Sequence, residues 1–309
     1  MTSRRTQLLS LAAAVTVLAA GVPASAQAVA QADPVPVPYG QNGNWTGADI
    51  VTERAPNSAQ AIAKSKLAAE YAAVVRGKRD RTKLAQIAAD YAAKYGGMAA
   101  VTGQQGTAKS AAGFAESAVP ATQKVLQLAQ YEQEKNYWCG PAAAYMIMKY
   151  LGITTSRYAG YQWGLSQNSF ASVPYLKTEQ NGATRFALNV MAPALNRWRE
   201  NKAAGFYVQY SPSALPASTF GDAMVYSVNI GMPNAPATVE MAGAAHYNGH
   251  PQNQTIGHWI TGFGYAYSGD LGYFADPATF WSSVSPKFTY TTANFWNIFI
   301  ARHGNGLVY

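Results

Sequence analysis

The chain contains one cysteine, and the residues that follow it restrict what that region can become. Cys139 opens the run Cys139-Gly140-Pro141-Ala142-Ala143, after which Tyr145, Met148 and Leu151 recur at the spacing of one helix face. Pro141 suits a first helical turn, where its missing N–H costs nothing, and Gly152 stands where a helix-ending glycine belongs. The pattern predicts a helix beginning at Cys139, with the thiol at its N-terminus. The positive end of the helix dipole and the free N–H groups there favour thiolate, the form that attacks carbonyl carbon. A lone cysteine is also commonly a small buried hydrophobe. On the thiol alone, both readings stand.

The N-terminus bears on that choice. Arg4-Arg5, the apolar run Leu8–Ala20 and the small residues Ala24-Ser25-Ala26 form a signal peptide over residues 1–26. The apolar run is too short for a membrane span, and Ser3-Arg4-Arg5 is a partial twin-arginine pattern. No later stretch holds 18 consecutive apolar residues, so the expectation is a secreted, extracellular protein without stable membrane insertion. Exported proteins generally use cysteines in pairs as disulfides. A single thiol there is a liability unless it is buried or useful, which favours a working Cys139.

Charge excludes one class of partner. The formal net charge of the 309 residues is +8, but two of those charges lie in the signal peptide and the rest divide evenly on either side of residue 119. The densest basic stretch, Arg76–Lys83, reads as a solvated turn between helices. Nucleic-acid binding needs clustered positive charge, and no such cluster is present.

Composition divides the chain. Residues 27–56, with Pro34-Val35-Pro36-Val37-Pro38, read as an extended linker. Residues 57–97 read as a helical segment: Leu67, Tyr71, Val74 and Val75 form one stripe, Leu84, Ile87, Tyr91 and Tyr95 another, with stops at Gly77 and Gly96-Gly97. The pair is Ala-rich and short of large aliphatics, so it needs another surface to fold against. Residues 98–119 form a second linker. The main domain is 120–309, which holds every tryptophan except Trp45 and every phenylalanine except Phe114.

Within this domain Ser156–Tyr175 reads as a loop. Thr184–Asn201 reads as a helix kinked or broken by Pro193, and Leu215–Ala223 as a short helix. Strand signals follow at Val225–Ile230 and Ala237–Met241, at His258–Tyr267 with Gly272–Ala275 as a hairpin, and at Phe288–Thr292 and Asn297–Ala301. Helices first and strands later predict an α+β fold.

A thiolate nucleophile needs an imidazole to take and return its proton, and a third group to orient that imidazole. Of four histidines, His258 sits on the predicted hairpin, and Asp276 ends the partner strand just before Pro277. Opposite ends of a hairpin lie side by side, so Asp276 can accept from the His258 ring. Each residue has an ordinary reading too, His258 as a hydrogen-bonded strand residue and Asp276 as a turn former. Gln133, six residues before Cys139, is either a solvated loop residue or a side-chain donor to the oxyanion of acyl transfer.

Taken together, Gln133-x5-Cys139-Gly140-Pro141-Ala142-Ala143, Gly257-His258-Trp259 and Phe274-Ala275-Asp276-Pro277 resemble the C39-like peptidases of the papain-like superfamily. The resemblance covers roughly residues 120–285 and is strongest at these three motifs. It implies a helical lobe with the nucleophile at a helix start, packed on an antiparallel sheet. It also implies Cys139 as nucleophile, His258 as general base and acid, Asp276 as its orienting partner and Gln133 as oxyanion donor, acting on a peptide or protein substrate. The Gly96-Gly97 helix end resembles a double-glycine leader, which would make the helical segment a pro-region cleaved after Gly97.

His246-x3-His250 would bind zinc on a helix, but its surroundings are turn-rich and no third ligand is spaced for it. No metal and no cofactor are therefore implied. A thiol acyltransferase, of the transglutaminase or phytochelatin-synthase type, would use the same residues. A non-catalytic extracellular binding protein would not need them.

Overall fold

The computed structural model describes residues 58–95, 121–158, 161–172, 175–199, 206–212 and 217–309. The segments expected to be a signal peptide and two linkers, and the expected helix stop at Gly96-Gly97, fall outside the described residues. No helix among the described residues is long and apolar enough to cross a membrane.

The helical pair forms as its stripes predict, α1 over Ala59–Val75 and α2 over Arg81–Tyr95. Ser58 caps α1 by accepting the Ala61 N–H at 3.1 Å, and Gly77 ends it at φ +67°, a left-handed conformation that glycine adopts without penalty. The further surface the pair requires is α7, Ser218–Asn229. Leu67, Ala68, Ala72 and Val75 of α1 share one core with Phe220, Ala223 and Met224 of α7. Tyr71 meets Tyr226 edge to face, with ring centroids 5.7 Å apart. Arg76, expected in a solvated turn, pairs with Asp222 at 2.6 Å, while residues 77–80 are exposed. Lys64 is fully buried on α1 and donates to the backbone carbonyls of Phe206 and Tyr309, its ammonium lying 3.9 Å from the centre of the Phe206 ring. Burial, and then the Arg199 charge, push its pKa well below the usual lysine range.

The remaining elements make an α+β fold. After β1 (Lys124–Val125) come α3 (Cys139–Tyr150), the hairpin β2 (Thr155–Tyr158) and β3 (Tyr161–Gly164), α4 (Gln167–Ala171), α5 (Thr178–Asn181) and α6 (Met191–Trp198). Strand β4 (Gln209–Tyr210) precedes α7. Strands β5 (Ala235–Glu240), β6 (Ile256–Trp259), β7 (Thr261–Ala266), β8 (Leu271–Ala275) and β9 (Lys287–Thr291) follow, then the short helix α8 (Thr292–Phe295) and β10 (Leu307–Val308). One antiparallel sheet has the order β1-β7-β8-β9 and the other β4-β10-β5-β6. Strands β6 and β7 are separated only by Ile260, so one run of chain leaves the second sheet and enters the first.

Several local expectations are corrected. Val225–Ile230 is not a strand; most of it continues α7. Residues 219–228 of that helix are all buried, and a helix apolar on every side loses its period in sequence. Asn297–Ala301 is helical as well, a π-type turn over Trp296–Ile300. Phe295, Trp296, Phe299 and Ile300 recur there at helical spacing and are all buried. The expected loop Ser156–Tyr175 contains the β2–β3 hairpin, whose register pairs Ser156 with Trp163, and the helix α4. Pro193 neither kinks nor breaks its helix. It sits in the first turn of α6, where N–H groups lack intrahelical partners, and the interruption comes earlier, at Asn189 with φ 46°.

Because α1 and α7 share a core, Leu67→Ala is expected to destabilise the whole fold by about 2–4 kcal/mol. Denaturant unfolding followed both by tryptophan fluorescence and by far-ultraviolet circular dichroism, which also reports the helical pair, should show one coincident transition, shifted to lower denaturant. A separate early transition for the helical pair would contradict the shared core.

Candidate active site

Cys139 is the first residue of α3, buried, and the Trp138 cap position supplies no side-chain hydrogen bond to the first turn. The helix start therefore keeps donors free for an anion. Glycine is required at 140 by a close approach: a Cβ there would lie 2.2 Å from Thr184 Oγ1. The Thr184 carbonyl accepts the Trp259 indole N–H at 2.6 Å, which ties the start of α3 to the residue after His258. The loop before Cys139 is pinned by Glu179, whose Oε1 accepts from Lys135 Nζ at 2.9 Å, the Tyr137 hydroxyl at 2.9 Å and Trp138 Nε1 at 2.6 Å.

His258 and Asp276 meet, by a route that differs from a simple hairpin. His258 lies on β6 and pairs across the sheet with Thr238 of β5, not with the Gly272–Ala275 strand. Beyond Ile260 the chain becomes β7, where Thr261 pairs with Ala275 of β8. Asp276, next after Ala275, is thus brought level with the switch between sheets. His258 Nε2 donates to Asp276 Oδ1 at 2.8 Å. Cys139 lies near enough to the same ring to help raise the His258 pKa.

The Asp276 carboxylate is saturated. Oδ1 also accepts the Ala278 backbone N–H at 2.9 Å, and Oδ2 accepts His250 Nε2 at 3.0 Å and Asn248 Nδ2 at 2.9 Å. Asn248 carries no local signal of this role in the sequence, and the spacing of His250 points only to a metal ligand. Glu240, also unassigned there, accepts His250 Nδ1 at 2.6 Å. One signal for it was present, a glutamate ending the otherwise uncharged strand Ala235–Glu240.

Gln133 lies at the same place and is buried. Its backbone N–H donates to the Pro277 carbonyl at 2.9 Å, joining the loop before Cys139 to the turn after Asp276. Its Nε2 donates to the Lys135 carbonyl at 2.9 Å. An amide nitrogen carries two protons, so one holds the side chain and the second is left for a ligand. Two further glutamines hold this loop: Gln130 donates to the Asp276 carbonyl at 2.8 Å, and Gln167 to the Glu132 carbonyl at 2.6 Å.

The pair His246 and His250 does not form the helical zinc motif, because its segment is a loop and His246 Nε2 is engaged by the Met241 carbonyl at 3.0 Å. His250, His258 and Asp276 offer atoms within 4.8 Å of one another, the one such group among the described residues. Those atoms are spent on hydrogen bonds to each other and to Glu240, which is the geometry of a proton network.

Charge follows from this network. Burial alone would lower the pKa of His258, but the Asp276 charge and hydrogen bond, with Cys139 beside the ring, raise it from 6.5 to about 10. Burial would raise Asp276, yet the His258 charge and the bonds from His250 and His258 hold it well below the carboxylate range. Protonated His258 thus stabilises the fold fully below pH 6.5, and that contribution is lost as pH rises toward about 10. Ionised Asp276 stabilises above its unfolded value of 3.8, and its contribution is lost as pH falls below that. Melting temperatures measured between pH 7 and 10 should therefore fall less steeply in His258→Ala than in wild type. Identical slopes would contradict the raised His258.

No curated protein matches the chain. The peptidase C39-like family matches residues 123–305, more than half of the chain and every residue of the site just described. The α+β architecture with antiparallel sheets is consistent with the papain-like fold of that family, and the match supports an enzyme of the cysteine-peptidase type. The chain belongs to the peptidase C39-like family.

Proposed function

We propose that this protein is an exported cysteine peptidase that cleaves peptide bonds through an acyl-enzyme on Cys139. The observation that carries the reading is the buried His258–Asp276 pair, with Nε2 2.8 Å from Oδ1, and Cys139 near enough to the ring to help raise the His258 pKa. An imidazolium in that position is the counter-ion a thiolate needs. The thiolate sulfur attacks the substrate carbonyl carbon. Negative charge gathers on the carbonyl oxygen, where the free Gln133 N–H and the Cys139 backbone N–H can donate. The C–N bond then breaks, and the His258 Nδ1 proton passes to the leaving amine. Water adds to the thioester while His258 takes back a proton, and the acid product leaves with the thiol regenerated. Asp276 holds the ring in the tautomer this cycle requires.

The same acyl-enzyme would transfer to an amine if one displaced water, so the experiment must separate the two outcomes. Protein purified from culture medium, with an N-terminus near Gln27 if the signal peptide is removed, is incubated with a peptide mixture and the products are read by mass spectrometry. Wild type should generate new C-termini, and Cys139→Ala and His258→Ala should generate none. Asp276→Asn should slow cleavage roughly 100- to 10,000-fold, and Gln133→Ala roughly 100- to 1,000-fold. Added glutathione or a primary amine appearing on the products would assign a transferase instead. Undiminished cleavage by Cys139→Ala would end the reading.

A further inference from the structure

Glu240 and His250 lie beside the triad and take no part in it. Glu240 and His250 are 1% and 3% exposed, and a carboxylate at such depth is retained only when it is paired and hydrogen-bonded. Glu240 Oε1 accepts the Tyr247 backbone N–H at 2.7 Å and Oε2 accepts His250 Nδ1 at 2.6 Å. The other His250 nitrogen donates to Asp276 Oδ2 at 3.0 Å. An ionised carboxylate only accepts, so between two ionised partners both ring nitrogens of His250 carry protons, and the geometry fits an imidazolium between two anions.

The loop that carries His250 is shaped to hold it there. Asn248 and Gly249 adopt φ of +52° and +79°, and a Cβ at Gly249 would lie 2.2 Å from the Ser283 carbonyl oxygen. Asn248 itself reaches Asp276, and it also donates to the Ser285 carbonyl at 2.8 Å. The Tyr247 ring lies 4.8 Å and the Trp281 ring 5.3 Å from the His250 ring, closing it off from water. The titratable groups facing His250 are Glu240 from β5, His258 from β6 at a ring separation of 5.2 Å, Asp276 beyond β8 and Tyr247 from its own loop. His246 lies across Glu240, at 3.7 Å. Burial would lower the His250 pKa, but the bonds and charges of Asp276 and Glu240 raise it.

We propose that His250 and Glu240 are positioning residues for the reaction assigned to Cys139, extending the triad to the buried chain Cys139–His258–Asp276–His250–Glu240, whose charges alternate along its length. The inference rests on the peptidase reading of Cys139 and His258. His250 fixes Oδ2 of Asp276 and so aims Oδ1 at His258. Its positive charge partly offsets Asp276 and thereby helps set the pH at which the thiolate forms. Glu240 keeps His250 charged.

The test is the rate of Cys139 alkylation by iodoacetamide, measured across pH on the full chain. His250→Gln retains an amide donor for Asp276 but removes a positive charge. It should raise the pH of half-maximal alkylation on the order of one unit, an effect of charge at this separation that loss of packing alone would not give. Glu240→Gln removes a negative charge and lets His250 lose its positive one, so it should not raise that pH, and the double variant should stay close to Glu240→Gln. A His250→Gln profile that overlays wild type overturns the inference. Where the variants do not fold, nitrogen-15 spectra of histidine-labelled wild type decide it: His250 should carry two ring protons at pH 8, and a neutral ring there overturns it. His258→Ala separates the two levels. If that variant keeps the wild-type profile, the peptidase reading itself fails. If it loses alkylation at low pH while His250→Gln changes nothing, only the role of His250 and Glu240 fails.

Discussion

A single carboxylate organises the site. Asp276 is wholly buried, and an ion at that depth persists only because four donors surround its two oxygens: the rings of His258 and His250, the Asn248 amide and the Ala278 backbone. These donors come from three separate stretches of chain, so the charge cannot be satisfied until β6, the loop after β5 and the turn after β8 are all in place. The arrangement makes the site conditional on the fold. It also constrains the fold, since an Asp276 stripped of its donors would be among the costliest groups in the core.

The sheet topology explains how those stretches come together. A chain that leaves one antiparallel sheet at Ile260 and enters the other places His258 and Asp276 on either side of the crossing point. The α3 helix then brings Cys139 up to this crossing, held by Gly140 against Thr184 and by Trp259 on the Thr184 carbonyl. The loop before Cys139 is fastened to the turn after Asp276 through Gln130 and Gln133. Further away, α1 closes the core over α7, with Lys64 holding the Phe206 and Tyr309 carbonyls. The helical segment is in this way part of the same packed body as the site.

What the sequence revealed and what it hid follow a physical pattern. Cys139, His258, Asp276 and Gln133 stood out because each sits in a short local motif; the structure joins His258 to Asp276 and ties the Gln133 backbone to Pro277 beside the β6–β7 crossing. The α1 and α2 helices were legible because each has one apolar stripe. Elements buried on every side were not. The last half of α7 and the turn at Trp296 carry Val, Ile, Tyr and Phe, residues with strand preference, and tertiary burial overrode that preference. Glu240 stayed hidden, and His250 pointed to a different role, for another reason. The role of His250 depends on a contact with Asp276 26 positions away, and that of Glu240 on its contact with His250; no local pattern encodes either. His250 even suggested a helical zinc motif that the loop conformation does not support.

The most direct test of this account is the protonation of His258, read from nitrogen-15 spectra of the histidine-labelled protein at pH 8. If Asp276 organises the site as described, both ring nitrogens of His258 carry protons there, because its pKa is raised to about 10, and Asp276→Asn should leave it neutral at the same pH. A wild-type His258 that is already neutral at pH 8 and titrates near its ordinary value of 6.5 would contradict the central claim.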